Sequence, residues 1–173
     1  MPPISYDDSP GTYYEGQIVY PLEDNIIRTG INFDSVILPF GRLACLDETA
    51  TGDGDRLPII LPDDANAIPR GILAKTDTFE KREGYSLNTD GDMGYPLNYQ
   101  LAYMVKGTIA VYTDVAVTPN NDVFWIHTAY TGAKVGQFRS DANTDKAVQL
   151  TAANWLASGG PGIVPLEVDF LAS

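Results

Sequence analysis

The chain has 173 residues, and its 23 aspartates and glutamates outnumber its 11 lysines and arginines, which gives a formal net charge of −12 at pH 7. A nucleic-acid-binding protein needs a basic face to displace the counterions of the phosphates, so this balance argues against DNA or RNA as a partner. The single Cys45 and the single His127 exclude an intramolecular disulfide framework and the metal sites built from clustered cysteines or histidines.

Residues 1–16 are predicted to form an extended N-terminal arm. They hold three prolines and two glycines, which prevent a helix. Tyr6, Tyr13 and Tyr14 offer aromatic contact area, so we expect the arm to bind a partner through them; an arm folded back on its own domain is the alternative. The segment lacks the cationic and apolar regions of a secretory signal, and no later run reaches the ~20 apolar residues of a membrane helix. We therefore expect synthesis in the cytoplasm of whatever cell makes the protein and no membrane partner.

Residues 17–173 are predicted to form one all-β domain with little helix. β-prone runs recur roughly every 8–12 residues and are separated by turns rich in Gly, Asn, Asp and Pro. The predicted strands are 17–20, 25–28, 36–38, 41–46, 71–75, 101–105, 108–113, 123–127, 134–138 and 163–170. The stretch 47–69 leaves room for a loop insertion.

The clearest unit runs from residue 99 to residue 127. Leu101, Tyr103 and Val105 alternate with less apolar residues, Gly107 interrupts the pattern, and the alternation resumes up to residue 113. This indicates two strands, joined or kinked at 106–107, with one face buried. The run 123–126 is apolar on both faces, so we expect it to lie centrally or against another subunit.

Three aromatic residues in apolar runs, Phe124, Trp125 and Trp155, are the candidates for a subunit interface, with packing in the core as the alternative. Trp155 lies in the segment 145–158, for which propensity leaves helix and strand equally open. A helix there would group Val148, Ala152 and Trp155 on one side, with Gly159 as its C-cap.

No residue pattern predicts a catalytic site, a metal site or a cofactor. His127 is the only imidazole that could activate a serine, but no Gly-x-Ser-x-Gly elbow occurs, so we expect a structural histidine. The acidic turns 53–55 and 90–92 lack the further ligands of an EF-hand and are interpreted as exposed turns, although calcium there is left open. Residues 159–162 form a turn rather than a phosphate loop, because no Lys follows them. Cys45 lies in an apolar run and is predicted to be a small buried hydrophobic residue.

The order of several short motifs resembles one protein family. The matching pieces are Glu15-Gly16-Gln17-Ile18, Leu38-Pro39-Phe40-Gly41-Arg42-Leu43-Ala44, Pro69-Arg70-Gly71-Ile72-Leu73-Ala74, and the stretches 103–111, 115–124, 136–139, 153–156 and 162–170. Each piece alone is generic, but their order and spacing are similar to those of the structural cement (head decoration) proteins of tailed bacteriophages. The chain departs from the family at 120–122, where Asn-Asn-Asp replaces the common Gly-Asp, and both sequences make a tight turn.

The resemblance implies a compact β-barrel or tulip-like domain that forms a homotrimer at threefold and quasi-threefold positions of a capsid. It implies a non-enzymatic protein on the outer capsid surface that binds the major capsid protein, with the arm reaching neighbouring subunits. It also favours a strand over a helix at 153–157. The residues leave two other classes open: a carbohydrate-binding β-sandwich that uses aromatic residues and acidic turns, and a hydrolase that uses carboxylates or His127.

Overall fold

A computed structural model describes residues 13–19, 25–51, 56–76 and 86–172; Tyr6 and the acidic turn at 53–55 lie outside them. These ranges contain strands and turns and no helix, so the predicted all-β class is confirmed. The strands are β1 (Ile18–Val19), β2 (Ile26–Asn32), β3 (Leu38–Pro39), β4 (Leu43–Leu46), β5 (Leu57–Ile60), β6 (Ile68–Leu73), β7 (Ser86–Leu87), β8 (Met93–Tyr95), β9 (Gln100–Thr113), β10 (Phe124–Ile126), β11 (Phe138–Arg139), β12 (Ala147–Gln149), β13 (Ala153–Trp155) and β14 (Gly162–Asp169). No helix in the described ranges is long and apolar enough to cross a membrane.

Five strands close into a barrel in the order β2, β5, β4, β6, β9 and back to β2. The pair β2–β5 is parallel and the other four pairs are antiparallel. Alternate residues of β9 point inward, where Leu101, Tyr103 and Val105 pack with Ile59 and Leu73. The barrel expected from the resemblance is therefore present, and its interior follows the period-two pattern of the sequence.

The second half of β9 builds another layer. β14 pairs with it from Gly162 opposite Thr113 to Asp169 opposite Lys106, and β13 continues the sheet beyond β14. The short strand β1 lies on the other edge of β9, while β10, β11 and β12 extend the sheet past its end. The larger hydrophobic cluster, which includes Trp125 and Trp155, packs between this layer and the outside of the barrel.

β9 is one continuous strand of 14 residues, whereas the sequence pattern predicted two strands joined or kinked at 106–107. Gly107 explains the interrupted alternation, because its φ of +129° is a conformation that other residues rarely adopt. Before this glycine, Leu101, Tyr103 and Val105 of β9 pack in the cluster inside the barrel. After it, Ile109 and Val111 pack in the other large cluster. The interruption in the sequence therefore marks a change of packing partner within one strand.

The segment 145–158 forms β12 and β13, so the helix alternative is wrong and the strand favoured by the resemblance is confirmed. Backbone conformation gives the reason. Asn143, Thr144 and Asp145 all have positive φ, which makes a tight turn directly before β12 and excludes a regular helix start. β12 then pairs with β10, and β13 pairs with β14.

One end of the barrel is filled by side chains of the cluster inside it. The rings of Phe40 and Tyr95 meet edge to face with centroids 5.0 Å apart, and the Tyr95 hydroxyl donates a hydrogen bond of 2.5 Å to the carbonyl of Ala74. The buried side chain of Asn32 donates to the carbonyls of Val36 and Tyr95, which joins the barrel to the small sheet of β3, β8 and β7.

Candidate functional site

The root of the N-terminal arm is built into the domain. The amide of Gly16 donates a 2.9 Å hydrogen bond to the carbonyl of Ala110, and its carbonyl accepts a 2.8 Å bond from the amide of Lys75. A Cβ atom at Gly16 would lie 2.6 Å from the Cβ of Phe40, and the φ of Gly16 is +78°. Only glycine fits this close approach, so the position where the arm leaves the domain is fixed.

Two of the arm tyrosines lie within the described residues. Tyr14 is 48% exposed, and the Lys75 ammonium stands 4.2 Å from the centroid of its ring, in the geometry of a cation–π contact. The amide of Gln17 bonds to the carbonyl of Tyr14 at 3.0 Å, which makes a turn at this point. Tyr13 is half-buried. One face of Tyr14 thus rests on its own domain while much of the ring stays accessible.

A cluster of charged side chains lies beneath the arm root. The guanidinium of Arg42, which is 1% exposed, has Nε 3.7 Å from Glu15 Oε1 and Nη2 3.3 Å from Asp92 Oδ2. Lys134 Nζ donates to both oxygens of Asp92, at 2.9 and 2.8 Å. The arm, the loop before β4, the β7–β8 turn and the segment before β11 therefore meet at one network.

Burial and charge shift the pKa values of this network in different directions. Burial raises the pKa of Glu15 despite the nearby positive charge of Arg42, and burial lowers the pKa of Arg42. Burial also acts to raise the pKa of Asp92, but the hydrogen bond from Lys134 and the charge of Arg42 outweigh it, so the pKa lies below its ordinary value. Carboxylates and cations thus face each other in this network. These contacts hold Glu15, and with it the root of the arm, in position.

The acidic turn 90–92, for which the sequence left calcium open, forms ion pairs with Lys134. Lys134 Nζ is 3.7 Å from Asp90 Oδ2 and 2.8 Å from Asp92 Oδ2. No group of three or more His, Cys, Asp or Glu side chains in the described ranges is arranged to hold a metal ion. In this part of the chain the ammonium group of Lys134 supplies the positive charge between the carboxylates.

No local sequence pattern indicates the Arg42 network or a second network around Arg139. Arg139 is buried, with Nη1 3.2 Å from Asp114 Oδ2 and Nη2 2.8 Å from Asp141 Oδ1. The hydroxyl of Tyr130 donates a 2.5 Å hydrogen bond to Asp114, and burial raises the pKa of Asp114 despite Arg139. These contacts tie β11 to the residue that follows β9.

The three aromatic candidates for a subunit interface lie in different environments. Trp125 and Trp155 are each 2% exposed and belong to the main hydrophobic cluster, so their side chains pack within their own chain. Phe124 is half-buried beside the small cluster of Ile126, Ala133 and Ala147. Among the three, Phe124 retains accessible surface, and neither tryptophan offers a stacking face to a sugar.

The remaining chemical candidates occupy structural positions. His127 Nδ1 lies 2.9 Å from the hydroxyl of Thr128, and its ring meets that of Trp125 edge to face with centroids 6.0 Å apart. Cys45 is fully buried, and burial raises the pKa of its thiol well above the ordinary value. The thiol is thus the small buried hydrophobic group predicted from the sequence.

Comparison with known proteins gives one family and one related fold. The family model described as structural cement protein (E217 gp24/Pam3 gp6) matches residues 2–169. No curated protein sequence matches the chain significantly. Among solved structures, a chain of "The capsid of Myoviridae Phage XM1" superposes with a TM-score of 0.63 at 12% sequence identity, and the match covers 91% of each chain. The structural match supports the same fold, and the family match extends over nearly the whole sequence.

Proposed function

Because the chain belongs to the phage structural cement protein family, we propose that it binds the outer surface of a phage capsid and bridges neighbouring major capsid protein subunits. Family membership makes the chain a structural component of the virion. Its action needs no chemical step, since a protein that binds only the assembled lattice stabilises that lattice by its binding free energy. We place it on the outer surface because a subunit of net charge −12 is repelled by packaged DNA.

The observation that carries this proposal within the molecule is the anchored root of the arm. Gly16 is held on both sides by backbone hydrogen bonds, and Glu15 is paired with buried Arg42. A segment that starts from a fixed point binds a partner with a smaller loss of entropy than one that starts from a loose linker. Tyr6, Tyr13 and Tyr14 are the proposed contact residues, and an extended segment of this kind can add to an exposed sheet edge of the partner.

We also propose that the chain acts as a homotrimer at threefold and quasi-threefold positions of the capsid. Phe124 is the proposed interface residue, because it is only half-buried and, like Tyr130, packs against the small cluster of Ile126, Ala133 and Ala147. Three copies bridging adjacent capsid subunits would oppose the outward force of packaged DNA at each joint. The exposed Thr128 and Thr131 supply polar groups at the rim of such an interface.

Cosedimentation with expanded capsids that lack this protein tests the proposal. We expect saturable binding of the wild-type chain and at least a tenfold weaker apparent affinity after Tyr13→Ser combined with Tyr14→Ser, which corresponds to about 1.4 kcal/mol. Tyr99→Ser, which removes an exposed tyrosine of the domain, serves as the control and should bind as the wild type does. Absence of saturable binding by the wild-type chain would contradict the proposed function, and unchanged binding by the double variant would contradict the role of the arm.

A further inference from the structure

A cavity of about 290 Å³ opens at the end of the barrel where β5 and β6 begin. Its walls come from β2, β5, β6, β9 and the two residues after β14, and they expose both polar and apolar surface. The lining residues used below are Arg28, Leu57, Arg70, Tyr103 and Leu171. Leu57 and Leu171 are 36% and 49% exposed, so apolar surface at this opening is accessible to a partner.

Two arginines, Arg28 and Arg70, stand at this cavity. Both are exposed, and neither pairs with a carboxylate in the described ranges. The described residues that line the cavity include no aspartate or glutamate. By contrast, Arg42 and Arg139 are each paired with carboxylates. In a chain whose carboxylates outnumber its cations about twofold, two guanidinium groups that no described carboxylate pairs favour an acidic ligand at this cavity.

The cavity also has an aromatic floor. Tyr103 is 2% exposed, and burial raises the pKa of its hydroxyl while the charges of Arg28 and Arg70 act to lower it. Both arginines line the same cavity as this ring. An aromatic floor, apolar side chains in the walls and two cations suit an extended peptide that carries carboxylates next to a ring or a proline.

We propose that this cavity binds residues 1–12 of a second copy of the chain, with Asp7 and Asp8 paired to Arg28 and Arg70. The inference rests on the proposed function in taking the arm as a segment that binds a partner, and it names that partner. Residues 1–16 contain Asp7, Asp8 and Glu15 and no lysine or arginine, so the arm carries the negative charge that complements the two arginines of the cavity. Tyr6 and Pro10 flank the acidic pair and match the apolar lining in character.

The position of the arm root favours a second copy over the same chain. Gly16 is bonded to Lys75, just beyond the end of β6, whereas Arg70 lies in the first half of β6. Five residues of extended chain separate these points, about 17 Å. The same chain would have to fold its arm back along its own barrel, while an arm that continues outward meets the cavity of a neighbour. Such head-to-tail contacts close into a ring when the rotation between copies permits, which is compatible with a trimer.

A charge-exchange experiment tests the proposal on the full chain by sedimentation velocity over a range of concentrations. The wild-type chain should associate, and Arg28→Glu/Arg70→Glu and Asp7→Lys/Asp8→Lys should each associate at least about tenfold more weakly. An equimolar mixture of the two variants should recover association, because the reversed cavity of one then accepts the reversed arm of the other. Recovery in the mixture identifies a contact between two chains rather than within one.

A second pair of variants separates this contact from the effect of net charge. Arg28→Gln/Arg70→Gln and Thr151→Glu/Ser158→Glu make the chain more negative by the same amount, and Thr151 and Ser158 are exposed residues outside the cavity. Only the arginine variant should weaken association. A wild-type chain that stays monomeric, equal effects of the two variants, or a mixture that does not recover would overturn the proposal. Capsid cosedimentation is read separately, so a failure of the proposed function is distinguishable from a failure of this inference.

Discussion

The Oε1 atom of Glu15 lies 3.7 Å from the Nε atom of Arg42, so the arm ends in an ion pair with the most buried cation among the residues that the structure describes. Glu15 is 23% exposed at its side chain and Arg42 is 1% exposed. The pair therefore connects a surface segment to the interior, and Asp92 and Lys134 extend it to the β7–β8 turn and the segment before β11.

Replacement of Arg42 should destabilise the whole domain. Arg42→Ala leaves Glu15 and Asp92 without their shared cation in a buried site, and breaking a buried pair in this way costs roughly 3–5 kcal/mol. Urea unfolding followed by tryptophan fluorescence measures the change in the free energy of unfolding. Arg28→Ala is the matched control, because Arg28 is exposed and pairs with no carboxylate in the described ranges, and it should stay within about 0.5 kcal/mol of the wild type. Equal losses in the two variants would contradict the structural role of the Arg42 network.

The pKa of Asp92 predicts how stability depends on pH. Its pKa lies below the ordinary 3.8, so the ionised carboxylate stabilises the folded state above that value, and this contribution is lost as pH falls through the lowered pKa. Asp92→Asn should cost roughly 1–3 kcal/mol near pH 7 and progressively less as pH falls below about 4. Thermal unfolding between pH 3 and pH 7 measures this, with the exposed Asp63→Asn as control. A difference from the wild type that does not shrink in acid would show that Asp92 acts through its shape rather than its charge.

The contribution of Glu15 to stability should depend on pH in the opposite direction to that of Asp92. Burial raises its pKa above the ordinary 4.5, so the folded state binds the proton more tightly than the unfolded chain does. The stabilising contribution of this group is fully present below the ordinary value and is lost as pH rises through the raised pKa. Glu15→Gln should therefore make stability less sensitive to a rise in pH from about 4 to 7. A variant with the same dependence as the wild type over that range would contradict the raised pKa.

Gly107 should tolerate substitution less well than Gly162, a glycine with a similar backbone conformation. A Cβ atom at Gly107 would overlap the side-chain oxygen of Asn25, whereas a Cβ atom at Gly162 would meet nothing within 4 Å. The two glycines have φ values of +129° and +143°, which other residues rarely adopt, so the difference between the variants isolates the steric effect. We expect Gly107→Ala to exceed Gly162→Ala by at least about 1 kcal/mol in urea unfolding. Equal losses would mean that Asn25 moves aside freely.

Replacing a buried aromatic residue should reduce stability more than replacing a half-buried one. Trp155→Ala removes a side chain that is 2% exposed and should cost roughly 3–5 kcal/mol in the free energy of unfolding. Phe124→Ala removes a half-buried ring and should cost less stability, while weakening self-association if Phe124 lies between subunits. Unfolding and sedimentation measurements on both variants make the comparison. A Phe124 variant that associates as the wild type does would contradict the interface assignment.

The parts of the fold that follow local patterns could be predicted from the sequence. The alternation in 101–105 and 108–113 reports directly which residues of β9 are buried, and the turn residues mark where strands end. β5 was not predicted, because Pro58 interrupts its short apolar run and the strand becomes recognisable only through its pairing with β2 and β4. The continuity of β9 through Gly107 was also hidden, since a glycine with positive φ and a chain break have the same effect on an alternating pattern.

The charged networks could not be predicted, for a physical reason. Arg42 meets a carboxylate 27 residues earlier and another 50 residues later, and no local pattern records such a contact. The tryptophans show the same limit. Trp125 and Trp155 stand in apolar runs that suit either a core or an interface, and only the closure of the sheet around them decides for the core.

The position of β9 in the barrel has a consequence for synthesis. β9 lies between β6 and β2, so the barrel cannot close until residues 100–113 have left the ribosome. Until then β2 and β6 are edge strands at the two ends of the order β2, β5, β4, β6. The long-range pairings that complete the domain are of the kind that form slowly. Nascent chains that stop before residue 100 should remain sensitive to protease, and resistance should appear only after β9 and the residues that pair with it emerge.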